Sequence, residues 1–296
     1  GQPLNLQGIW NARVRPPWSS NYTVNINTEM NYWPATSSNM AECAEPLVNM
    51  VYELMQQGRE TAKVNYGCKG ACCNHNSDLW RKTSPVQGGP CFMYAPLCGA
   101  WLVNEVYTHY KNGGLEEYKD KIFYSVKASA EFINDYLVEH NGEYVIAPST
   151  SPENEYKFNG RAIAVDYACA FDMAVAKAGM LAYLDFESEG ELAEQIKEKL
   201  AKLRPAPKVI VSDMALFKQT VKGLKGLEHI ETVRENSDVA DKLLDIRYAV
   251  TIVIAGMVLL LFVVSLFIIA NTIRITMFSR RLEISIMKAV GATNWF

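Results

Sequence analysis

Pro17-Trp18-Ser19-Ser20-Asn21-Tyr22-Thr23-Val24-Asn25-Ile26-Asn27-Thr28-Glu29-Met30-Asn31-Tyr32-Trp33-Pro34-Ala35 has prolines at both ends, four asparagines, two tryptophans and two tyrosines, with no apolar spacing near 3.6. Such a stretch is expected to be a constrained loop and not a helix. Within it, Val24-Asn25-Ile26-Asn27 alternates apolar side chains with carboxamides. In extended backbone a period of two sends Asn25 and Asn27 to one side and turns Val24 and Ile26 to the interior. Two adjacent amides can hold one water or one sugar hydroxyl. They can equally satisfy the loop's own backbone, as amides in Asn-rich loops commonly do.

Around this stretch lies a chain of 296 residues, 49% hydrophobic and 21% charged, ordinary for a folded protein of one large or two small domains. The averages hide a break. Of the 29 basic and 32 acidic residues, 11 and 8 fall in 206–296, which leaves 18 and 24 in 1–205. Neither part is charged strongly enough to point to nucleic acid. All seven cysteines, Cys43, Cys68, Cys72, Cys73, Cys91, Cys98 and Cys169, lie in the first part. An odd number cannot all pair, and with no evident signal peptide, reduced and mostly buried thiols are expected. Cys68, Cys72, Cys73 and His75 cluster closely enough to raise zinc, but adjacent cysteines do not make a CxxC knuckle and no second pair follows. No metal and no cofactor are expected.

Periodicity predicts helices over Ala41–Tyr66, Leu97–Tyr110, Leu115–Val138, Val165–Leu184 and Glu191–Leu203, the third ending near Asn141-Gly142. Gly67–Pro96 is expected to be loop, and Glu143-Tyr144-Val145-Ile146 a short extended piece. Long helices alternating with long loops suggest stacked helical hairpins carrying a site at one end.

Two of those loops carry chemistry. In Ala147-Pro148-Ser149-Thr150-Ser151-Pro152-Glu153-Asn154, prolines flank a hydroxyl-rich turn and leave one carboxylate, Glu153. It is either a solvated turn glutamate or a general acid, since glycoside hydrolysis needs a protonated carboxyl beside the leaving oxygen. Asn74-His75-Asn76-Ser77-Asp78-Leu79-Trp80-Arg81 offers an imidazole, amides, a carboxylate, an aromatic face and a cation. It can line a sugar pocket, or it can be a structural polar loop in which Arg81 pairs with Asp78.

Together with Asn5-Leu6-Gln7-Gly8-Ile9-Trp10-Asn11, the opening stretch resembles glycoside hydrolase family 95, the inverting alpha-L-fucosidases. The resemblance implies that Asn25 and Asn27 position the attacking water and that Glu153, in a Ser-Pro-Glu-Asn run like the family's, is the general acid. The 74–81 segment is similar to the family's His-Asn-Thr-Asp-Leu-Trp. That match implies that His75, Asn76, Asp78 and Trp80 bind substrate; with Trp33 of the opening stretch they form the expected substrate-binding set, with a fucosylated glycan as partner. The implied fold is an (alpha/alpha)6 barrel, of whose roughly twelve helices about five are present. Ala44 stands where the family commonly has His, and Ala170-Phe171-Asp172-Met173 replaces Thr-Met-Asp-Met. The family's catalytic Asp, beyond the Ser-Pro-Glu-Asn loop, has no counterpart, so hydrolysis is expected to be impaired.

From about Ala206 the pattern changes. Lys208–Val211 and Ile230–Val233 read as strands, Met214–Leu224 as a helix and Asp238–Arg247 as amphipathic. Tyr248–Ala270 is uncharged and, at ~1.5 Å per residue, long enough to cross ~30 Å of hydrocarbon; a helix buried in a soluble core is the alternative. Arg274, Arg280, Arg281 and Lys288 place the end of the span in the cytoplasm and the preceding residues outside. Asn271-Thr272-Ile273-Arg274 with Ser279–Thr293 resembles FtsX-type cell-division permeases of the ABC-transporter class, which implies an FtsE-like ATPase partner. The residues alone also allow a membrane-proximal amphipathic helix with a basic face.

The expected class is mainly α, a partial (alpha/alpha)6-barrel fragment followed by a small alpha/beta piece and one transmembrane helix. The expected domains are 1–205, 206–247, 248–270 and 271–296. Three functions follow: a fucosidase-like fragment, an FtsX-like membrane component, or a non-native join with no joint activity.

Overall fold

The computed structural model describes residues 1–8, 11–205, 222 and 237–289, the backbone alone over 237–248. The chain divides into two compact units, Gly1–Val209 and Ile210–Phe296. Both are mainly helical in their described parts. The segments expected at Lys208–Val211, Met214–Leu224 and Ile230–Val233 lie outside the described residues, Lys222 apart, as do Ile9 and Trp10.

The first unit contains α1 (Asn27–Ser37), α2 (Glu45–Tyr66), the single turn α3 (Pro90–Met93), α4 (Cys98–Lys111), α5 (Lys119–Tyr136), α6 (Ala170–Phe186) and α7 (Glu191–Ala201). Helix α5 is central, packing on α2, α4, α6 and α7. The reason lies in its buried apolar residues, among them Ile122, Val126, Phe132 and Ile133, which share one core cluster with Leu47, Met50, Leu54 and Met55 of α2. Helix α2 ends where Gly67, at φ 67°, reverses the chain: its N–H bonds the Lys63 carbonyl, the 5→1 closure of an αL cap, and the N–H of Cys68 bonds the Ala62 carbonyl.

Three expectations are corrected. The opening stretch is not loop throughout, because Asn27–Ser37 is helical. Its buried face is Thr28, Glu29, Tyr32 and Ala35, so a helical spacing exists but is written in polar and small residues. Pro34 lies inside this helix and has no N–H to give to the Met30 carbonyl one turn before it. The third helix stops at Tyr136. Leu137–His140 (β1) instead pairs antiparallel with Glu143–Ile146 (β2). Asn141 and Gly142, at φ 54° and 81°, form the two-residue hairpin turn, so the Asn-Gly signal marks a hairpin and not a helix end. Helix α6 starts at Ala170 and not at Val165, because Val165–Asp166 pairs with Ser149–Thr150.

In the second unit α8 (Ser237–Ser279) is continuous through the expected boundary at Ala270 and is followed by α9 (Arg281–Ala289). Ala249–Ser279 is long and apolar enough to cross a membrane, and none of it is buried. Thr272 and Thr276 turn their hydroxyls back onto the carbonyls of Ile268 and Thr272, at 2.8 Å each, hiding polar atoms within the helix.

Candidate functional site

Three stretches far apart in sequence are brought to one place. Tyr22–Thr23 pairs antiparallel with Asn76–Ser77, and Val24 N–H donates to His75 C=O at 2.7 Å. The third stretch arrives through Asn25, whose Nδ2 donates to Glu153 Oε1 at 3.0 Å.

Each is fixed from behind. The segment before His75 threads between helices: Ala71 N–H bonds Ala128 C=O, Cys72 N–H bonds Gly58 C=O, and Cys73 C=O accepts from Gly99 N–H. A Cβ on Gly58 would lie 2.4 Å from Cys72 O, and one on Gly70 would lie 2.2 Å from Phe132 N. Glycine is the residue that lets the thread lie this close to α2 and α5. Buried Asn74 completes the anchor, its Oδ1 accepting from Tyr66 Oη at 2.9 Å and Ala95 N–H at 3.2 Å. The Glu153 loop hangs on Asp172, whose Oδ2 accepts from Ser149 Oγ at 2.7 Å and Thr150 N–H at 3.1 Å.

Asn25, Asn27, His75, Asn76 and Glu153 line one cavity of about 940 Å³. Trp18, Phe92, Trp101 and Phe171 supply aromatic walls, and Glu153 is the one carboxylate among the described lining residues. Val24 is buried behind the site as expected, but Ile26 is 39% exposed and lines the cavity. The helix beginning at Asn27 ends the strict alternation. His75 is 7% exposed; burial pushes its pKa down, against the pull of the Glu153 charge, which keeps the imidazole neutral near pH 7. Its Nδ1 and the Oδ1 of Asn76 are buried with no hydrogen-bond partner among the described residues. Unpaired buried polar atoms on a cavity wall are suited to a hydroxyl-bearing ligand, which can both donate and accept.

Trp33, Asp78 and Trp80 are not among the residues lining this cavity. Trp33 lies on α1, 46% exposed, its indole bonded to the Glu105 carboxylate. Asp78 caps its own turn, Oδ1 accepting from the N–H groups of Trp80 at 2.8 Å and Lys82 at 3.3 Å. Trp80 is 87% exposed. The expected Arg81–Asp78 ion pair is replaced by Arg81 with Glu53 at 2.6 Å, Asp78 offering Arg81 only its backbone carbonyl. Sequence reasoning did not single out Trp18, Phe92 or Trp101. Trp18 stood inside the quoted stretch, whereas Trp101 was hidden in a helical pattern and Phe92 in a loop.

Two buried acids lie behind the site. Burial raises Glu29 to about 8, with the Glu105 charge adding to it, and neither Glu29 oxygen has a partner among the described residues. Burial also raises Asp172 to about 6, opposed by its bonds from Ser149 and Thr150. All seven cysteines are free, Cys43 exposed and the others buried or half-buried. Among the described residues no three His, Cys, Asp or Glu side chains converge as metal ligands.

Residues 255–296 match the FtsX-like permease C-terminal family, and over 75 residues the chain is 36% identical to Cell division protein FtsX of Bacillus subtilis, 25% of each chain. To Alpha-L-fucosidase 2 of Arabidopsis thaliana it is 36% identical over 202 residues, 67% of this chain and 24% of that protein. To Probable alpha-fucosidase A of Aspergillus niger it is 29% identical over 158 residues, 51% of this chain and 20% of that protein. The chain thus spans about a quarter of the length of these curated relatives. Residues 1–214 match the glycosyl hydrolase family 95 catalytic domain, and through them the chain belongs to that family.

Proposed function

We propose that the first unit recognises terminal alpha-L-fucosides, with Glu153 as general acid and Asn25 and Asn27 holding the water, in a partial (alpha/alpha)6 scaffold. The observation that carries this reading is the Asn25–Glu153 hydrogen bond, which joins the two chemically singled-out stretches across 128 positions on one cavity wall. His75 Nδ1 and Asn76 Oδ1 take the sugar hydroxyls.

Inverting hydrolysis places the sugar ring between an acid and a water-activating carboxylate, roughly 6.5–9.5 Å apart. A 3.0 Å contact between Asn25 and Glu153 leaves no room for a ring between them, so substrate entry has to part the two. With one carboxylate on the described lining, proton donation is provided and base catalysis is not. The site therefore binds a fucoside and turns it over slowly. The test is calorimetric titration of the full chain with L-fucose, beside L-fucose release from an aryl alpha-L-fucoside. Saturable binding, with release that disappears in Glu153→Gln, supports the reading. A folded chain that binds no L-fucose overturns it.

A second reading concerns the other unit. We infer that Ala249–Ser279 anchors the chain in a bilayer, because its apolar side chains are exposed along the helix, Ile252 and Phe267 at 71% each. Arg274, Arg280, Arg281 and Lys288 put the following segment in the cytoplasm, where an FtsE-like ATPase is the proposed partner. Carbonate-resistant membrane fractionation and recovery of an ATPase with the purified chain support this; a chain found wholly in the supernatant overturns it. The two functions are independent, as in a join of two gene products. A single unamplified sequencing read through codons 203–209 that separates them onto two loci would establish the join as non-native.

A further inference from the structure

Trp18 lines the cavity yet is 75% exposed, whereas His75 on the same lining is 7% exposed. The cavity thus has a polar floor and an aromatic rim. Trp18, Ser19 and Ser20 have φ of 48°, 56° and 50°, three consecutive left-handed residues that carry a Cβ and none of them glycine. Such conformations are unfavourable and persist only where the surroundings over-determine them. Here they do. Ser19 N–H bonds Pro16 C=O and Asn21 N–H bonds Trp18 C=O, while Leu6 N–H bonds Asn21 C=O. Asn11 Nδ2 reaches Ser20 Oγ at 2.8 Å and Gln7 Nε2 reaches Pro17 C=O at 3.4 Å. The segment before the turn is a brace for it.

An indole left in water contributes little to folding, so this strained and braced turn is not explained by core packing. A large, rigid aromatic face at a cavity mouth suits the apolar C–H face of a pyranose. A terminal sugar that enters first occupies the floor, with Asn25, His75 and Asn76, and the rest of its glycan projects past the rim. We propose that Trp18 is the stacking platform for the sugar to which the terminal fucose is attached, and so sets preference for the glycan beyond the fucose. This rests on the fucoside reading above.

The test is calorimetry on the full chain in detergent, in a Glu153→Gln background that prevents turnover, with L-fucose and alpha-L-fucosyl-lactose as probes. Trp18→Ala is expected to weaken the trisaccharide about three- to tenfold and to leave L-fucose within about twofold, with Trp18→Phe restoring most of the loss. Equal weakening of both probes, or of neither, overturns the platform while leaving the fucoside site standing. A parent that binds neither probe overturns both, and shows it before any Trp18 variant is made.

Discussion

Helices α2 and α8 treat their apolar surface differently. The 22 residues of α2 bury one face against α5 and keep charges such as Glu53, Arg59 and Glu60 outward. The 43 residues of α8 include a 31-residue stretch, Ala249–Ser279, that carries no charge before Arg274 and has every side chain exposed. In the first unit the apolar surface has been removed from water by packing; in the second, on the proposed anchoring, a bilayer supplies the apolar phase. Exposure therefore means different things in the two units, and substitutions can separate the meanings.

The largest effect is expected at Glu29. Its carboxyl, held at about 8 in the fold, keeps its proton while the unfolded chain ionises from about 4.5. The unfolded state then binds fewer protons, so stability falls as pH rises from about 4.5 to about 8, by ~5 kcal/mol over the interval. Asp172, raised to about 6, adds a smaller fall between about 4 and 6. Glu29→Gln is expected to flatten the upper part of that slope in urea unfolding of the first unit, and an unchanged slope would place Glu29 in contact with water.

Next, Leu54→Ala, at a wholly buried position, is expected to cost roughly 2–5 kcal/mol of first-unit stability. Leu260→Ala in α8 should leave the same transition unmoved. If both shift it alike, the two units unfold as one and the comparison fails. Comparable in size but opposite in location, Val258→Arg opposes insertion by about 3 kcal/mol and should release chain into the carbonate-extractable fraction without moving the first unit's unfolding. The smallest effect is expected at Trp80, 87% exposed in the first unit, where alanine should change stability by less than about 0.5 kcal/mol. A larger loss would mean that this exposed indole has an apolar partner.

Much of this was legible in the sequence. Apolar periodicity placed α2, α4 and α7 closely, and the uncharged run located the membrane-length helix, because in both cases burial or lipid contact selects the residues that the pattern counts. Where the pattern is not apolar it misled. Helix α1 packs through Thr28, Glu29, Tyr32 and Ala35, and a helix with a buried glutamate on its inner face gives no amphipathic signal. Asn141-Gly142 joins two adjacent strands, a local hairpin signal that follows directly on a helical pattern, whereas Val165 pairs with Thr150, outside its own local pattern. For the site, residue chemistry raised Asn25, Asn27, His75, Asn76 and Glu153 beside structural alternatives, and the family resemblance singled them out; all five line one cavity. It separated the tryptophans poorly. Trp33, Trp80 and Trp18 have the same chemistry, and only the left-handed turn that lifts Trp18 onto the rim, which no spacing records, distinguishes it.

One exposed thiol has a practical consequence. Cys43 stands in the turn Ala41–Ala44 before α2, while the other six cysteines are buried or half-buried. A brief maleimide reaction should therefore favour Cys43 over the half-buried Cys68, Cys91 and Cys169 and place most of the fluorophore at one known point on the chain. Indole-to-dye energy transfer could then follow ligand arrival in real time, in the same sample used for membrane reconstitution.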